Sequence, residues 1–250
     1  MANYLLLTAT VTPPPNVPEL ARTDPAERMG DYVRAMEFYS GLIGPVFDKI
    51  VFAENSASDL QPLRRAVEAT GKSHLVEFVS CYGLDYPAEY GRGYGEMKLL
   101  DFAMANADTL SKAAPSDVIW KCTGRYVLTN MPLLVRTRPP VDLYVHCRNY
   151  PYSLCELFGF SFNRRAYDEV LKGVCEAIRR DLEPGPYANE ILFRRRIDQA
   201  APSITVARRF VHTPLLNGVR GWNNSEYSRG THPKIIVRQV LNRLVPSIWI

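Results

Sequence analysis

At 250 residues, 46% hydrophobic and 22% charged, the chain is long enough to bury a large core and has the composition of a folded globular domain, which excludes long disordered tracts. No stretch approaches the roughly 20 apolar residues of a membrane span, and Tyr4-Leu5-Leu6-Leu7 is too short for a signal peptide. The five cysteines, Cys81, Cys122, Cys147, Cys155 and Cys175, lack CxxC spacing, which argues against a disulfide framework or a zinc site and for reduced thiols in a cytoplasmic protein. The net charge of +4 is unevenly spread. From residue 191 on, Arg194, Arg195, Arg196, Arg208, Arg209, Arg220, Arg229, Lys234, Arg238 and Arg243 face only Asp198 and Glu226, which favours a phosphorylated ligand or a lipid surface over nucleic acid.

Residues 4–10 (YLLLTAT) predict a first buried strand, closed by a proline-rich turn. Its last residues, Thr8 to Thr10, suit close approach to a nucleotide base or ribose, and equally a plain polar turn. Asp24-Pro25-Ala26-Glu27 begins a helix running to Gly41, with Asp24 as N-cap, Pro25 at the first position and Glu27 completing a capping box. Met29, Val33, Met36 and Phe38 supply its apolar contacts, and Arg28 near its start is a candidate phosphate ligand.

Residues 48–53 predict a second strand emptying into Glu54, Asn55 and Ser56, which can bond a ribose or base edge at such a position. The competing reading makes Asn55, Ser56 or Ser58 the cap of a helix beginning near Leu60. Residues 74–80 give a third strand, followed by a Tyr- and Gly-rich loop over 81–92. A glycine turn then opens the central helix, with Gly93, Glu96 and Lys98 in its first turns and Met97, Leu100, Ala103, Met104 and Ala107 at core spacing. The strand 117–120 follows and delivers Lys121, Thr123, Gly124 and Arg125 to its carboxyl end, the edge where open α/β sheets bind ligands.

The second half predicts a strand over 141–145, an apolar run over 157–162, a helix over 164–180, a helix opening at Tyr187 to Glu190 and a last strand over 203–211. Residues 218–230 read as a flexible loop whose Trp222 suits a lid or a sugar platform. The C-terminal 233–250 forms a basic amphipathic helix that fits either an anionic membrane surface or the protein's own core.

With these segments placed, the chain resembles a bacterial glycosyltransferase of the kind encoded in capsule and lipopolysaccharide O-antigen gene clusters. The likeness rests on Lys49-Ile50-Val51-Phe52-Ala53-Glu54-Asn55-Ser56, Gly91-Arg92-Gly93-Tyr94-Gly95-Glu96, Lys121-Cys122-Thr123-Gly124-Arg125-Tyr126 and Phe158-Gly159-Phe160-Ser161. It implies a GT-A-like α/β fold, a Rossmann-type mixed, mostly parallel sheet flanked by helices in a single domain. Residues 1–130 would bind the nucleotide-sugar donor, 131–230 would carry the acceptor and catalytic groups, and 231–250 would be the basic helix. The implied donor ligands are Thr8, Thr10, Arg28, Glu54, Asn55, Ser56, Gly93, Lys98, Lys121, Thr123 and Arg125. Glu190, similar to the acidic residue that inverting members place at a helix start, is the implied base, with Asp142 second; Glu190 as a mere partner of the helix dipole is the alternative.

Members of this group usually hold a divalent cation through an Asp-x-Asp at the strand end, where this chain has Lys121 and Arg125. The resemblance therefore implies a nucleotide-sugar co-substrate without metal or other cofactor, and a glycan or lipid-linked glycan acceptor. The rival readings are another Rossmann-like nucleotide-using transferase and a non-catalytic sugar- or nucleotide-binding module. No GxGxG follows the first strand and no GxSxG elbow occurs, which disfavours methyl transfer and serine hydrolysis.

Overall fold

The computed structural model describes residues 1–15, 17, 20–183, 185–227, 237, 240 and 241. The chain begins with β1 (Asn3–Ala9), α1 (Pro25–Ser40), β2 (Lys49–Glu54), α2 (Gln61–Glu68), β3 (Val76–Ser80) and α3 (Gly91–Asn106). It continues through α4 (Asp108–Ser111), β4 (Val118–Thr123), β5 (Val127–Leu128), α5 (Met131–Arg136), β6 (Leu143–Tyr144), β7 (Cys147–Arg148), β8 (Leu154–Cys155) and β9 (Gly159–Phe162). Last come α6 (Arg164–Ala166), α7 (Val174–Ala177), α8 (Ala188–Asp198), β10 (Val206–Ala207) and β11 (Leu216–Asn217).

Seven strands form one sheet in the order β10-β6-β9-β4-β1-β2-β3. β3, β2, β1 and β4 are parallel, and β9 runs antiparallel to both β4 and β6. This is the expected mixed, mostly parallel sheet flanked by helices. The chain winds outward from β1 to β2 and β3 and then returns to place β4 on the other side of β1, so the crevice between the carboxyl ends of β1 and β4 is the natural ligand position.

Strand alternation divides the core between two faces. Leu5, Leu7, Ile50, Phe52, Val118 and Trp120 point to the side covered by Tyr32, Met36 and Tyr39 of α1 and Leu63 and Val67 of α2. Leu6, Val51, Ala53 and Ile119 point to the side covered by Met97, Leu100, Ala103 and Met104 of α3 and by Phe193 and Ile197 of α8.

Several local expectations change. In α1 the buried face is Arg28, Asp31, Tyr32, Ala35, Met36, Tyr39 and Ser40, while Met29, Val33 and Phe38 stay only partly covered. The Asp24 carboxylate does accept from the Glu27 N–H at 2.8 Å, but the Glu27 carboxylate turns to Arg22 at 2.8 Å, so only half of the capping box forms. Gly91 to Gly95 are the first turns of α3 rather than a turn before it. The helix expected over 164–180 is broken into α6, a π-helical turn over Tyr167–Leu171 and α7, with Gly173 at φ +69° between the last two. The last strand shrinks to the two residues of β10. Apart from Val237, Val240 and Leu241, the C-terminal segment 233–250 lies outside the described residues. Among the described residues no helix is long and apolar enough to cross a membrane.

Candidate active site at the carboxyl edge of the sheet

The parallel register sets Thr8 of β1 beside Thr123 of β4, and alternation turns Lys121 and Thr123 to the same face as Thr8. That face meets α3, and there the three side chains converge on one oxygen. Glu96 Oε1 accepts from Thr8 Oγ1 at 2.8 Å, Thr123 Oγ1 at 2.6 Å and Lys121 Nζ at 2.5 Å. Lys121 Nζ also donates to the Leu157 carbonyl at 2.5 Å, and its side chain is 0% exposed. Burial pushes the Glu96 carboxyl up, but the Lys121 charge and these hydrogen bonds outweigh it and hold Glu96 ionised below its ordinary range.

Lys121, expected as an open phosphate ligand at the strand end, therefore lies inside β4 with its charge already matched. Thr8 and Thr123 hold the same carboxylate. Glu96 is the centre that sequence reasoning missed. The signal for it was the Lys-x-Thr alternation of an interior strand, which buries an ammonium that only a carboxylate can balance.

The groups after β1 and β2 close on one another in the same way. Glu54 is 0% exposed. Its Oε1 accepts from the Val11 and Ser56 N–H groups at 3.1 and 2.8 Å and from the Ser56 hydroxyl, and its Oε2 accepts from the Ser58 N–H at 3.2 Å and Ser80 Oγ at 3.3 Å. Thr10 Oγ1 donates to Asn55 Oδ1 at 2.6 Å. Glu54 thus organises this turn, and with its oxygens taken it is not the free ribose acceptor expected. Neither Asn55, Ser56 nor Ser58 caps α2; Asp59 accepts from the Gln61 N–H at 2.9 Å instead.

Two arginines at this edge are buried and, among the described residues, neither is ion-paired with a carboxylate. Arg28, 5% exposed, gives Nε and Nη2 to the Thr10 carbonyl at 2.7 and 2.5 Å and Nη1 to the Arg22 carbonyl at 3.0 Å. Arg125, 6% exposed, gives Nη1 to the Val219 carbonyl at 3.1 Å, and its Nε is buried without a partner. Burial, with the nearby Arg125 charge adding to it, pushes the Arg28 guanidinium down. Their neighbour Arg22, by contrast, is neutralised by Asp31 at 2.6 Å and Glu27 at 2.8 Å.

The segment 218–227 covers Arg125 as a tight turn, closed by Arg220 N–H to the Ser225 carbonyl at 2.8 Å and Tyr227 N–H to the Gly218 carbonyl at 2.9 Å. A Cβ on Gly221 would lie 2.9 Å from Arg125 Nη2 and 3.3 Å from Arg92 Nη1. The two guanidiniums therefore flank the same backbone, and Arg92 is a second site residue that the sequence reading passed over.

Glu190 is the third residue of α8, its carboxyl pushed up to about 7. Burial is the main cause, and the charges of Glu156 and Glu96 add to it against its own N–H and Arg92. Glu156 is itself ion-paired with Arg148. What holds α8 here is the glycine face of α3. A Cβ on Gly91 would meet Asn189 Oδ1 at 2.7 Å, and one on Gly93 would meet Asn189 Cβ at 2.6 Å. Asn189 Nδ2 then donates to the carbonyls of Ile178 at 2.5 Å and Tyr90 at 3.1 Å. Gly93, expected at the donor, is thus filled by α8.

Two more candidates lie elsewhere. Lys98 Nζ is ion-paired with Asp85 at 2.6 Å. Asp142 precedes β6 at the level of the amino end of β4, on the opposite edge of the sheet. It accepts from Thr205 N–H at 2.8 Å, Thr205 Oγ1 at 2.7 Å and Asn163 Nδ2 at 2.8 Å, so it ties β6 to the loop before β10 and does not join Glu190. The acidic groups described near the β1–β4 crevice already have partners. Glu96 Oε1 is shared by three donors and Glu156 is paired, and among the described residues no three acidic, His or Cys side chains are grouped to hold an ion.

Neither a protein-family model nor a curated protein matches the chain. Among solved structures it is similar to the galactosyltransferase LgtC in complex with donor and acceptor sugar analogues, at 12% identity over 82% of this chain and 72% of that one, with a TM-score of 0.46. It is similar to the apo bifunctional glycosyltransferase WbbM at 11% identity over 83% of this chain and 38% of that one, TM-score 0.45. A nucleoside-diphosphate-sugar pyrophosphorylase from Vibrio cholerae is similar at 10% identity over 83% of this chain and 91% of that one, TM-score 0.46.

Proposed function

We propose that the chain transfers a sugar from a nucleoside-diphosphate donor to a hydroxyl of a glycan or lipid-linked glycan, without a metal. The observation that carries this reading is Arg125: a guanidinium 6% exposed, at the carboxyl edge beside the topological switch, with Nε unpartnered and, among the described residues, no carboxylate ion-paired with it. A buried cation without a counter-ion is costly unless an anion completes it, and arginine's planar fork suits phosphate oxygens.

In this scheme the C–O bond from the anomeric carbon to the β-phosphate breaks, and Arg125 and Arg92 meet the charge that appears on the departing diphosphate. The acceptor oxygen forms the new bond to that carbon and gives its proton to Glu190. A carboxyl near 7 is ionised in about half of the molecules at neutral pH and is basic enough to take that proton. Glu96, locked to Lys121, Thr8 and Thr123, fixes the floor of the crevice and keeps Lys121 from competing for the donor. Assembly of a capsule or O-antigen glycan is the setting that fits the sequence resemblance, and residues 233–250 are the candidate membrane contact.

The test is release of nucleoside diphosphate from UDP-, GDP- and dTDP-linked sugars, with and without EDTA. Turnover of one donor class that persists in EDTA supports the proposal. Turnover abolished by EDTA and restored by Mn²⁺ refutes the metal-free scheme, and formation of a nucleotide sugar from a nucleoside triphosphate and a sugar phosphate identifies nucleotidyl transfer instead.

A further inference from the structure

Three tyrosines stand in solvent beside the helix start that carries Glu190. The hairpin β7–β8 turns over residues 149–153, leaving Tyr150 66% and Tyr152 41% exposed, and Tyr187, 51% exposed, immediately precedes α8. The rings of Tyr152 and Tyr187 touch, with centroids 5.6 Å apart at 49°. The hairpin is tied down: Arg194 Nη1 of α8 donates to Asn149 Oδ1 at 3.1 Å and to the Arg148 carbonyl at 3.4 Å. Tyr187 adopts φ +59°, a left-handed conformation that a bulky residue rarely takes, and does so at the cap of the helix while its ring stays in water. Glu190 follows three residues later, in the first turn of α8.

We propose that Tyr152 and Tyr187 form the stacking platform for the acceptor sugar, the C–H face of a pyranose lying on the two rings with one hydroxyl directed at Glu190. The inference rests on the glycosyl-transfer reading and names the acceptor side of that same site. A sugar fits this surface because a tyrosine ring offers an apolar face with a polar tip, and a pyranose offers one C–H face rimmed by hydroxyls. The surroundings supply partners for that rim, since Asn149 and Ser153 are exposed. A protein partner would require a far larger contact than these few residues provide.

Saturation-transfer NMR on the full chain, with the methyl glycosides of glucose, galactose, mannose and rhamnose, tests the platform without requiring turnover. Tyr152→Ala and Tyr187→Asn remove the rings, Asn being tolerant of the left-handed backbone, and Tyr152→Phe keeps one. The expected result is transfer to the ring protons of at least one glycoside in the wild type and in Tyr152→Phe, lost in the other two. The melting shift given by a nucleoside diphosphate stays unchanged in all of them, and the acceptor KM rises about tenfold in an assay of transfer. Signals that survive both ring removals, or none from any glycoside in the wild type, overturn the platform. So does a change from dimer to monomer in those variants, which makes the surface a self-association patch. Failure of every nucleotide to shift the wild type counts against the glycosyl-transfer reading, and the glycoside signals still decide the platform.

Discussion

Lys121 Nζ lies 2.5 Å from Glu96 Oε1, and the lysine side chain is fully buried. The charge of this pair is thereby settled within the protein, while Arg125, four residues further on, is ion-paired with no carboxylate among the described residues.

Removing the ammonium leaves Glu96 charged among buried groups. Lys121→Met should cost about 3–5 kcal/mol near neutral pH, the range for breaking a buried pair. Because the folded Glu96 carboxyl sits below its ordinary value, the stability it contributes is present above the unfolded pKa and lost as pH falls through the folded one. The penalty should therefore shrink in acid, and Glu96→Gln on the Lys121→Met background should restore part of the stability. Urea denaturation at pH 7 and pH 4 measures both. An equal loss at the two pH values contradicts the pairing.

Much of the fold was readable because its strands are interior and its first helix is capped. β1, β2 and β4 are continuous apolar runs, and Asp24-Pro25 sets the start of α1. What misled was the glycines. Gly91, Gly93 and Gly95 look like a ligand-cradling turn, but they are helical, and they are small because Asn189 and Tyr86 press on them. For Gly91 and Gly93 that reason belongs to a residue almost a hundred positions away and leaves no mark in the local pattern. Arg28 was seen as a departure from the apolar face of α1, yet its guanidinium goes to backbone carbonyls that only the folded turn after β1 brings near. Asp142 lies away from Glu190 because it precedes β6, which runs in the same direction as β4, and so it sits at the amino edge of the sheet.

Gly93→Ala tests the contact between α3 and α8. Its Cβ would lie 2.6 Å from Asn189 Cβ and 2.9 Å from Leu157 Cδ1, so α8 must shift. The expected cost is about 1–3 kcal/mol for overpacking, with turnover falling further than stability explains because Asn189 adjoins Glu190. Thermal melts beside kcat at a temperature where both proteins are folded separate the two effects.

Glu190→Gln should lower kcat by about 10²–10⁴-fold, the usual weight of a positioned base, with donor affinity unchanged. The pH profile of the wild type should rise through about 7 and lose that limb in the variant. A raised carboxyl contributes stability below its unfolded pKa and loses it as pH rises through the folded value. Glu190→Gln should consequently melt higher than wild type at pH 8 and show little gain at pH 4. A flat pH profile in the wild type removes Glu190 as the base.

Asp142→Asn should destabilise the protein by about 1–3 kcal/mol, since the Thr205 hydrogen bonds that hold this carboxyl below its ordinary value outweigh its burial. Kinetic constants of the folded variant should match wild type. A selective drop in kcat would return Asp142 to the mechanism.

The central claim is that Arg125 awaits a diphosphate. Isothermal titration of UDP, GDP, CDP and dTDP into the full chain in EDTA, repeated with Arg125→Ala, tests it most directly. The account predicts that one of these nucleotides binds without metal and that Arg125→Ala weakens it about tenfold or more, an ionic hydrogen bond's share. Binding that appears only with Mn²⁺, or that is indifferent to Arg125→Ala, would contradict it.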